Sequence, residues 1–331
     1  MATIQDIARK AGVSVTTVSR VLNQHPYVSQ EKRDAVDRAI RELKYTPNAL
    51  AVNLQKGKTQ MIAVVTPMIH HPFFSLLIDG MGREAIQNQY QLVLCQTVFD
   101  QRKELAFLNM LQSKKVDGII LTEFLNPWEK LLPYLSDGPM VICNTYHEQI
   151  PLPFVYVDHY QSALLGLEHL VQQGYRKIAI CRDRAYKKES VVNQKRGAAY
   201  YTVLDRHHLP RKPEWELMTN CGEDDIHLVW DQFMQLSEKP EAIFTGSDQL
   251  AAGIYMRAKK SGYRIPEDLA IMGFDNHPIA EILELSTIEQ PIAEMGRKAV
   301  RLLHESIHHP ERVQHHVVER LPYRLISRAS T

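Results

Sequence analysis

Apolar residues in the first 58 positions recur at helical spacing. Ile4, Ile7 and Ala8 make a stripe at i, i+3, i+4. After the turn Ala11-Gly12-Val13-Ser14, a second stripe holds Val15, Val18 and Leu22. Ser14 stands where an N-cap belongs, so the pattern predicts two short helices joined by a tight turn. A third helix follows the candidate cap Ser29 and buries Val36, Ile40 and Leu43. The break Tyr45-Thr46-Pro47-Asn48 ends this array. Pro47 biases its predecessor away from helix, and Gly57 ends the short segment that follows. That segment is too short to be a stable helix alone.

From residue 60 the period changes. Apolar runs of strand length occupy 61–67, 91–97, 117–122, 140–145, 154–158, 177–183, 242–248 and 269–275, most of them separated by amphipathic helical stretches. Continuous apolar strands alternating with helices predict parallel sheets covered on both faces. The runs end in polar residues: Thr66, Asp183, Ser247-Asp248 and Asp275-Asn276. Ligands of open parallel sheets bind outside such carboxyl ends.

Composition narrows the class. The 44% hydrophobic content is ordinary for a globular chain, and 331 residues suffice for two or three domains. No apolar run nears the roughly 18 residues of a membrane span. The start MATIQDIARK lacks a secretory core, so a cytoplasmic protein with no membrane partner is expected. Cys95, Cys143, Cys181 and Cys221 form no metal-type pair. The first three lie in strand-like runs and are expected to be buried and reduced. Residues 1–58 hold ten Lys and Arg against five Asp and Glu, and the remainder holds 29 against 33. A small basic module on a mildly acidic body suits phosphate binding at one end.

The second helix carries Thr16, Thr17, Ser19, Arg20 and Asn23 between its apolar positions. A short, polar, cationic face suits a DNA major groove, although an ordinary helical hairpin with a solvated face has the same spacing. The residue order goes further. Asp6-Ile7-Ala8, Gly12-Val13-Ser14 and Thr17-Val18-Ser19-Arg20-Val21-Leu22-Asn23 resemble the headpiece signature of the LacI/GalR family of bacterial transcription regulators. The resemblance spans the chain and is strongest in residues 3–58 and 242–295. Overall it points toward the maltose-type regulators of that family.

The resemblance implies an all-α helix-turn-helix headpiece (1–46), a hinge helix or linker (47–59) and an α/β periplasmic-binding-protein-like core (60–331). The core would comprise two parallel-sheet subdomains, about 60–158 with 291–320 and about 159–290 with 321–331. Val15, Thr16 and Arg20 match base-reading positions. An Arg can meet guanine O6 and N7 with two bonds, whereas Val15 offers only an apolar contact. Thr17, Ser19 and Asn23 suit phosphate oxygens. Tyr27, Ser29 and Lys32 match further backbone contacts. In the hinge, Leu54 matches a leucine that wedges into the minor groove, and Asn48 and Ala51 match flanking positions. A linker with a stray leucine is the alternative, and a segment that folds only on DNA satisfies both.

On the ligand side, Pro72-Phe73-Phe74 matches the family's first core helix. Phe73 and Phe74 stand open between ligand stacking and core packing. Arg196-Gly197-Ala198-Ala199-Tyr200 resembles Arg-x-x-Gly-(Phe/Tyr), with Ala199 where Gly is usual. Ser247-Asp248 matches an (Asn/Ser)-Asp pair, and Asp275 in Gly273-Phe274-Asp275-Asn276 matches a cleft carboxylate. Asp248 serves equally as a helix N-cap. Trp128 and Tyr146 stand open between stacking and core roles. His70 and His71 lack partners at metal spacing, so no metal and no cofactor are expected.

An enzyme is disfavoured. The turn after residues 61–67 has no Gly, and neither GxGxxG nor GxSxG occurs. A transport-type sugar-binding protein fits the body but not the basic headpiece. The expectation is a homodimeric repressor of carbohydrate-utilisation genes. It would bind a near-palindromic double-stranded operator and be released by a sugar, such as maltose or a maltodextrin. A phosphorylated carrier protein acting as corepressor is the alternative, with Arg297 and Arg301 either a docking surface or a solvated face. The end at Thr331 carries no leucine heptad, so a dimer is expected rather than a tail-built tetramer.

Overall fold

The helical spacing at the start of the chain folds as α1 (Ile4–Ala11), α2 (Val15–Leu22) and α3 (Gln30–Glu42) in the computed structural model. The structure describes residues 2–23, 25–45, 58–183, 190–220, 225–309 and 317–331. Thr3 caps α1 through a reciprocal box with Asp6, whose carboxylate accepts from the Thr3 amide at 3.0 Å. Gly12 ends α1 at φ +67°, a conformation that an L side chain resists. Ser14 caps α2 by accepting from the Thr17 amide at 3.2 Å. Ile7, Ala8, Val18, Val21, Val36 and Ala39 form the core of this unit. Val15 leaves the expected stripe: it is 46% exposed, and Val21 takes the buried place.

The chain divides into two units, Met1–Thr59 and Gln60–Thr331. In the second, strands and helices alternate: β1 (Met61–Thr66), α4 (Pro72–Gln87), β2 (Gln91–Gln96), α5 (Gln101–Gln112), β3 (Gly118–Leu121), the single turn α6 (Trp128–Leu131), β4 (Met140–Cys143) and β5 (Phe154–Val157). They continue with α7 (His159–Gln172), β6 (Ile178–Asp183), α8 (Val191–Arg206), β7 (Glu216–Thr219), α9 (Asp225–Gln235), β8 (Ala242–Phe244), α10 (Asp248–Lys260) and β9 (Ala270–Met272). The last elements are α11 (Pro278–Ile282), β10 (Thr287–Glu289), α12 (Ile292–His308), β11 (Val318–Leu321) and β12 (Arg324–Ile326). All eight apolar runs contain a strand, as expected. The architecture is the headpiece plus two-sheet α/β core that the sequence implied.

One parallel sheet has the order β11-β5-β4-β3-β1-β2, and a second has the order β7-β6-β8-β9. β10 and β12 form an antiparallel ribbon. Along β1, Ile62 and Val64 pack into one layer and Ala63 and Val65 into the opposite one, so the strand is apolar throughout. The chain passes from one sheet system to the other three times, at β5–α7, β10–α12 and β11–β12. Cys95, Cys143 and Cys181 are buried free thiols, and Cys221 lies outside the described residues.

The return of α12 to the larger sheet is sealed by two glycines. A Cβ on Gly80 of α4 would lie 2.2 Å from the Ala293 carbonyl oxygen, and one on Gly296 would lie 2.2 Å from that of Leu77. The helix backbones therefore touch, and Glu84 of α4, 5% exposed, accepts two bonds from Arg301 of α12 at 2.9 Å. Gly82, on the same helix, would place a Cβ no closer than 3.8 Å to Leu92. Gly80→Ala is expected to cost about 1–3 kcal/mol by overpacking. Gly82→Ala is expected to stabilise by up to about 1 kcal/mol through helix propensity. Chemical denaturation of the two variants checks both signs.

Candidate nucleic-acid interface and ligand cavity

The headpiece residues singled out in the sequence lie mostly on the surface. Val15, Thr16 and Arg20 of α2 are exposed, Tyr27 is 86% exposed, and Ser29 and Lys32 are exposed at the start of α3. Val15, Thr16 and Arg20 stand within two turns of one helix. Ser29 has N-cap backbone geometry, but its side chain makes no capping bond. Thr17 and Ser19 are half-buried, and the Thr17 hydroxyl lies 2.9 Å from that of Ser14. Asn23 spends its amide on the end of α2, donating to the Ser19 carbonyl at 2.9 Å. Asn48, Ala51 and Leu54, the hinge candidates, lie outside the described residues.

The second unit holds a cavity of about 230 Å³ at the carboxyl ends of both parallel sheets. From the larger sheet it is lined by Met68, His70 and His71 after β1, Glu123 after β3, Asn144 after β4 and His159 after β5. The smaller sheet contributes Asp183, Thr219, Thr245 and Asp275 at or after the ends of β6, β7, β8 and β9. Phe73, Phe74 and Phe244 form part of the apolar wall. Phe73 and Phe74 meet edge-on with ring centroids 5.2 Å apart, and both are more than nine-tenths buried. They line the cavity and belong to the core together, which joins the two roles left open in the sequence.

Arg196, on α8, places its guanidinium 3.8 Å from the centre of the Phe274 ring and donates to the Gly246 carbonyl at 2.8 Å. Its Nε is buried without a partner. Burial lowers its pKa, opposed by the charges of Asp275, Asp183 and Glu123. Asp275 sits at φ +108° and accepts from Gln290 at 2.7 Å. Burial pushes its carboxyl up to about 8, with Asp248 adding to the rise and Arg196 opposing it. Burial likewise pushes Glu123 up to about 7, and its Oε1 has no partner.

Two histidines are held neutral. His159 Nε2 lies 2.9 Å from the Asn144 carbonyl, which can only accept, so Nε2 carries the proton and Nδ1 is an acceptor. Burial depresses its pKa to about 3. His71 caps α4, its Nδ1 accepting from the Phe73 amide at 3.2 Å, and burial depresses it to about 4.

Residues 3–48 match the family model for bacterial regulatory proteins of the lacI family, and residues 167–331 match a periplasmic binding protein-like domain. The chain is 42% identical over 333 residues, covering the whole of both proteins, to the NTD biosynthesis operon regulator NtdR of Bacillus subtilis (strain 168). The chain belongs to the lacI family. Among solved structures it resembles a complex of the transcriptional regulator CelR with cellobiose, at TM-score 0.69 and 25% identity over the full length of both. It shares its fold with a lac repressor dimer bound to operator and the anti-inducer ONPF, at TM-score 0.84 and 24% identity, covering 100% of this chain and 99% of that one. As a lacI-family member it is a DNA-binding transcriptional regulator and not an enzyme.

Within this lacI-family core, Phe73, Phe74, Arg196, Ser247 and Asp275 come together around the cavity. Asp248 does not. Ser247 caps α10, accepting from Leu250 at 3.3 Å, and Asp248 turns away from the cavity lining. Its carboxylate accepts from the His277 amide and the Thr287 hydroxyl, each at 2.6 Å. Gly273 makes room for it, since a Cβ there would lie 2.1 Å from Asp248 Oδ1. Asp248 is thus neither a helix cap nor a cavity residue, but a buried tie between α10 and the β9–β10 region. Trp128 and Tyr146 also miss the cavity. Tyr146 stacks on Tyr156 at 4.9 Å, and Trp128 packs against the core. Arg297 and Arg301 are engaged by Glu294 and Glu84.

Sequence reasoning passed over Glu123, Asn144, His159 and Asn193 as cavity residues. Position was the available signal for the first three, because each follows a strand that ends at the cavity.

A carboxyl whose folded pKa is raised stabilises fully below its unfolded value and loses that contribution as pH rises through the folded value. His71 and His159, being depressed, act in the opposite sense, but their contribution is complete above about pH 6.5. Between pH 6.5 and 8 the chain should therefore lose stability through Glu123 and Asp275. Asp275→Asn should reduce that loss by on the order of 1 kcal/mol, measured as the difference between denaturation free energies at the two pH values.

Proposed function

We propose that the chain is a homodimeric repressor of carbohydrate-utilisation genes, released from a near-palindromic operator by a small saccharide. In this reading residues 1–46 read DNA, 47–59 form the hinge, and 60–331 bind the ligand and dimerise. The observation that carries the ligand half is the cavity itself. Phe73 and Phe74 offer ring surface for sugar C–H faces, while Arg196, Asp275 and Asn193 offer hydrogen-bonding groups for hydroxyls. The solved CelR–cellobiose complex, a neighbour in fold, supports a saccharide as the class. On the sequence resemblance to the maltose-type regulators, maltose and maltodextrins are the first sugars to test.

The DNA half rests on the exposed set Val15, Thr16 and Arg20, flanked by Thr17, Ser19, Asn23, Tyr27, Ser29 and Lys32. Base reading falls to the first three and phosphate contact to the rest. In the same reading Leu54 enters the minor groove, with Asn48 and Ala51 beside it. Arg297 and Arg301, already paired with Glu294 and Glu84, favour a ligand in the cavity over docking of a phosphorylated carrier protein.

Operator can be selected from random duplexes with the full chain. On it, Arg20→Ala should lose about 1–3 kcal/mol of discrimination at one base position. Lys32→Ala should weaken all sequences alike and lower the salt slope by about 1. The effect of ligand must also be reciprocal: a saccharide that weakens operator binding by some factor is itself bound more weakly by that factor when operator is present. Titrations in both directions check this, and an operator that leaves saccharide affinity unchanged would refute the release mechanism.

A further inference from the structure

Among the described residues, the cavity is lined by more carboxyl groups than a neutral sugar calls for. Among the described residues that line it are four acids, Glu123, Asp183, Asp225 and Asp275, and one guanidinium, that of Arg196, on which Glu123, Asp183 and Asp275 act. Burial keeps His71 and His159 neutral, so these two imidazoles add no positive charge. Nor are the acids closed off among themselves. Glu123 Oε1 is buried with no hydrogen-bond partner, and His159, 5% exposed, holds an equally unpartnered acceptor at Nδ1. Among the described residues, the Asp183 carboxylate accepts from Thr219 through Oδ1. Phe274 and the Gly246 carbonyl hold Arg196 in place, so it is not free to follow each carboxylate in turn. Carboxylates taken out of water must be neutralised by a proton or paired with a cation.

We infer that the ligand of this cavity is a cationic saccharide, an amino sugar whose primary ammonium group sits against Glu123 and Asp183 while its ring packs on Phe73 and Phe74. An ammonium supplies three donors and a positive charge, which matches two carboxylates and a neutral acceptor that line the same cavity. Arg196 and Asp275 then take ring hydroxyls. The raised value of Glu123 fits this, since an arriving cation would displace the proton that neutralises the acid there. This inference rests on reading the cavity as a saccharide site.

The test is isothermal titration of the full chain with matched sets of sugars. The sets are glucose, glucosamine and N-acetylglucosamine, their galactose counterparts, and cellobiose against the corresponding β-linked glucosamine disaccharide. The free amine should bind at least about tenfold more tightly than its hydroxyl and N-acetyl partners in one or more sets. Glu123→Gln and Asp183→Asn, with ligand-free melting to verify folding, should each remove most of that preference. Parent sugars that bind as tightly as their amines overturn the ammonium assignment and leave the saccharide reading standing. Silence from every sugar, by a chain that still binds its operator, overturns both.

Discussion

Arg196 carries a positive charge where little water reaches it, stacked on Phe274 and bonded to the Gly246 carbonyl. Three carboxylates from different strand ends act on that charge: Asp275, Asp183 and Glu123. A buried cation and buried acids are each costly alone, and their mutual attraction makes their coexistence tolerable. Replacing Arg196 would leave the acids to repel one another or take up protons. The residues that bind ligand in this reading are thus also residues whose burial costs stability, so the cavity is built at some expense to the fold around it.

The expense is met by packing away from the cavity. β1 and β3 are almost wholly apolar, and α12 lies so close to α4 that glycine is required on both helices. Two of the three passages between the sheets deliver a residue to the cavity's polar network. His159 follows β5 and bonds Asn144, and Gln290 follows β10 and bonds Asp275. Ligand contact at these points bears on the same backbone segments that connect the two sheet systems. A coupling between ligand and sheet arrangement therefore needs no long relay of side chains.

Much of the fold was legible because its signals are local. Eight strands announced themselves as apolar runs bounded by polar residues, and α1 and α2 as stripes around a Gly-Val-Ser turn. The missed strands lack such runs. β7 alternates between half-buried and buried positions, β10 and β12 are three residues each, and β11 carries Glu319 and Arg320. Each becomes a strand because a neighbour supplies the ladder, as β5 does for β11. Asp248 was misread for a related reason. Its sequence position is one residue inside a helix start, where a cap is the common role, but its actual partners are His277 and Thr287, 29 and 39 residues away.

By itself the sequence determined the headpiece helices, the alternation that makes parallel sheets, and the regulator family. Each depends on periodicity or on residues adjacent in the chain. The tertiary structure decided which polar strand ends share one cavity and which do not. It turned Asp248 inward, left Val15 on the surface, and brought Glu123 and His159 to a site that no motif marked. Strand order and the three passages between sheets set those meetings. The charges that result follow from burial, which is a property of the assembled chain and not of any segment of it.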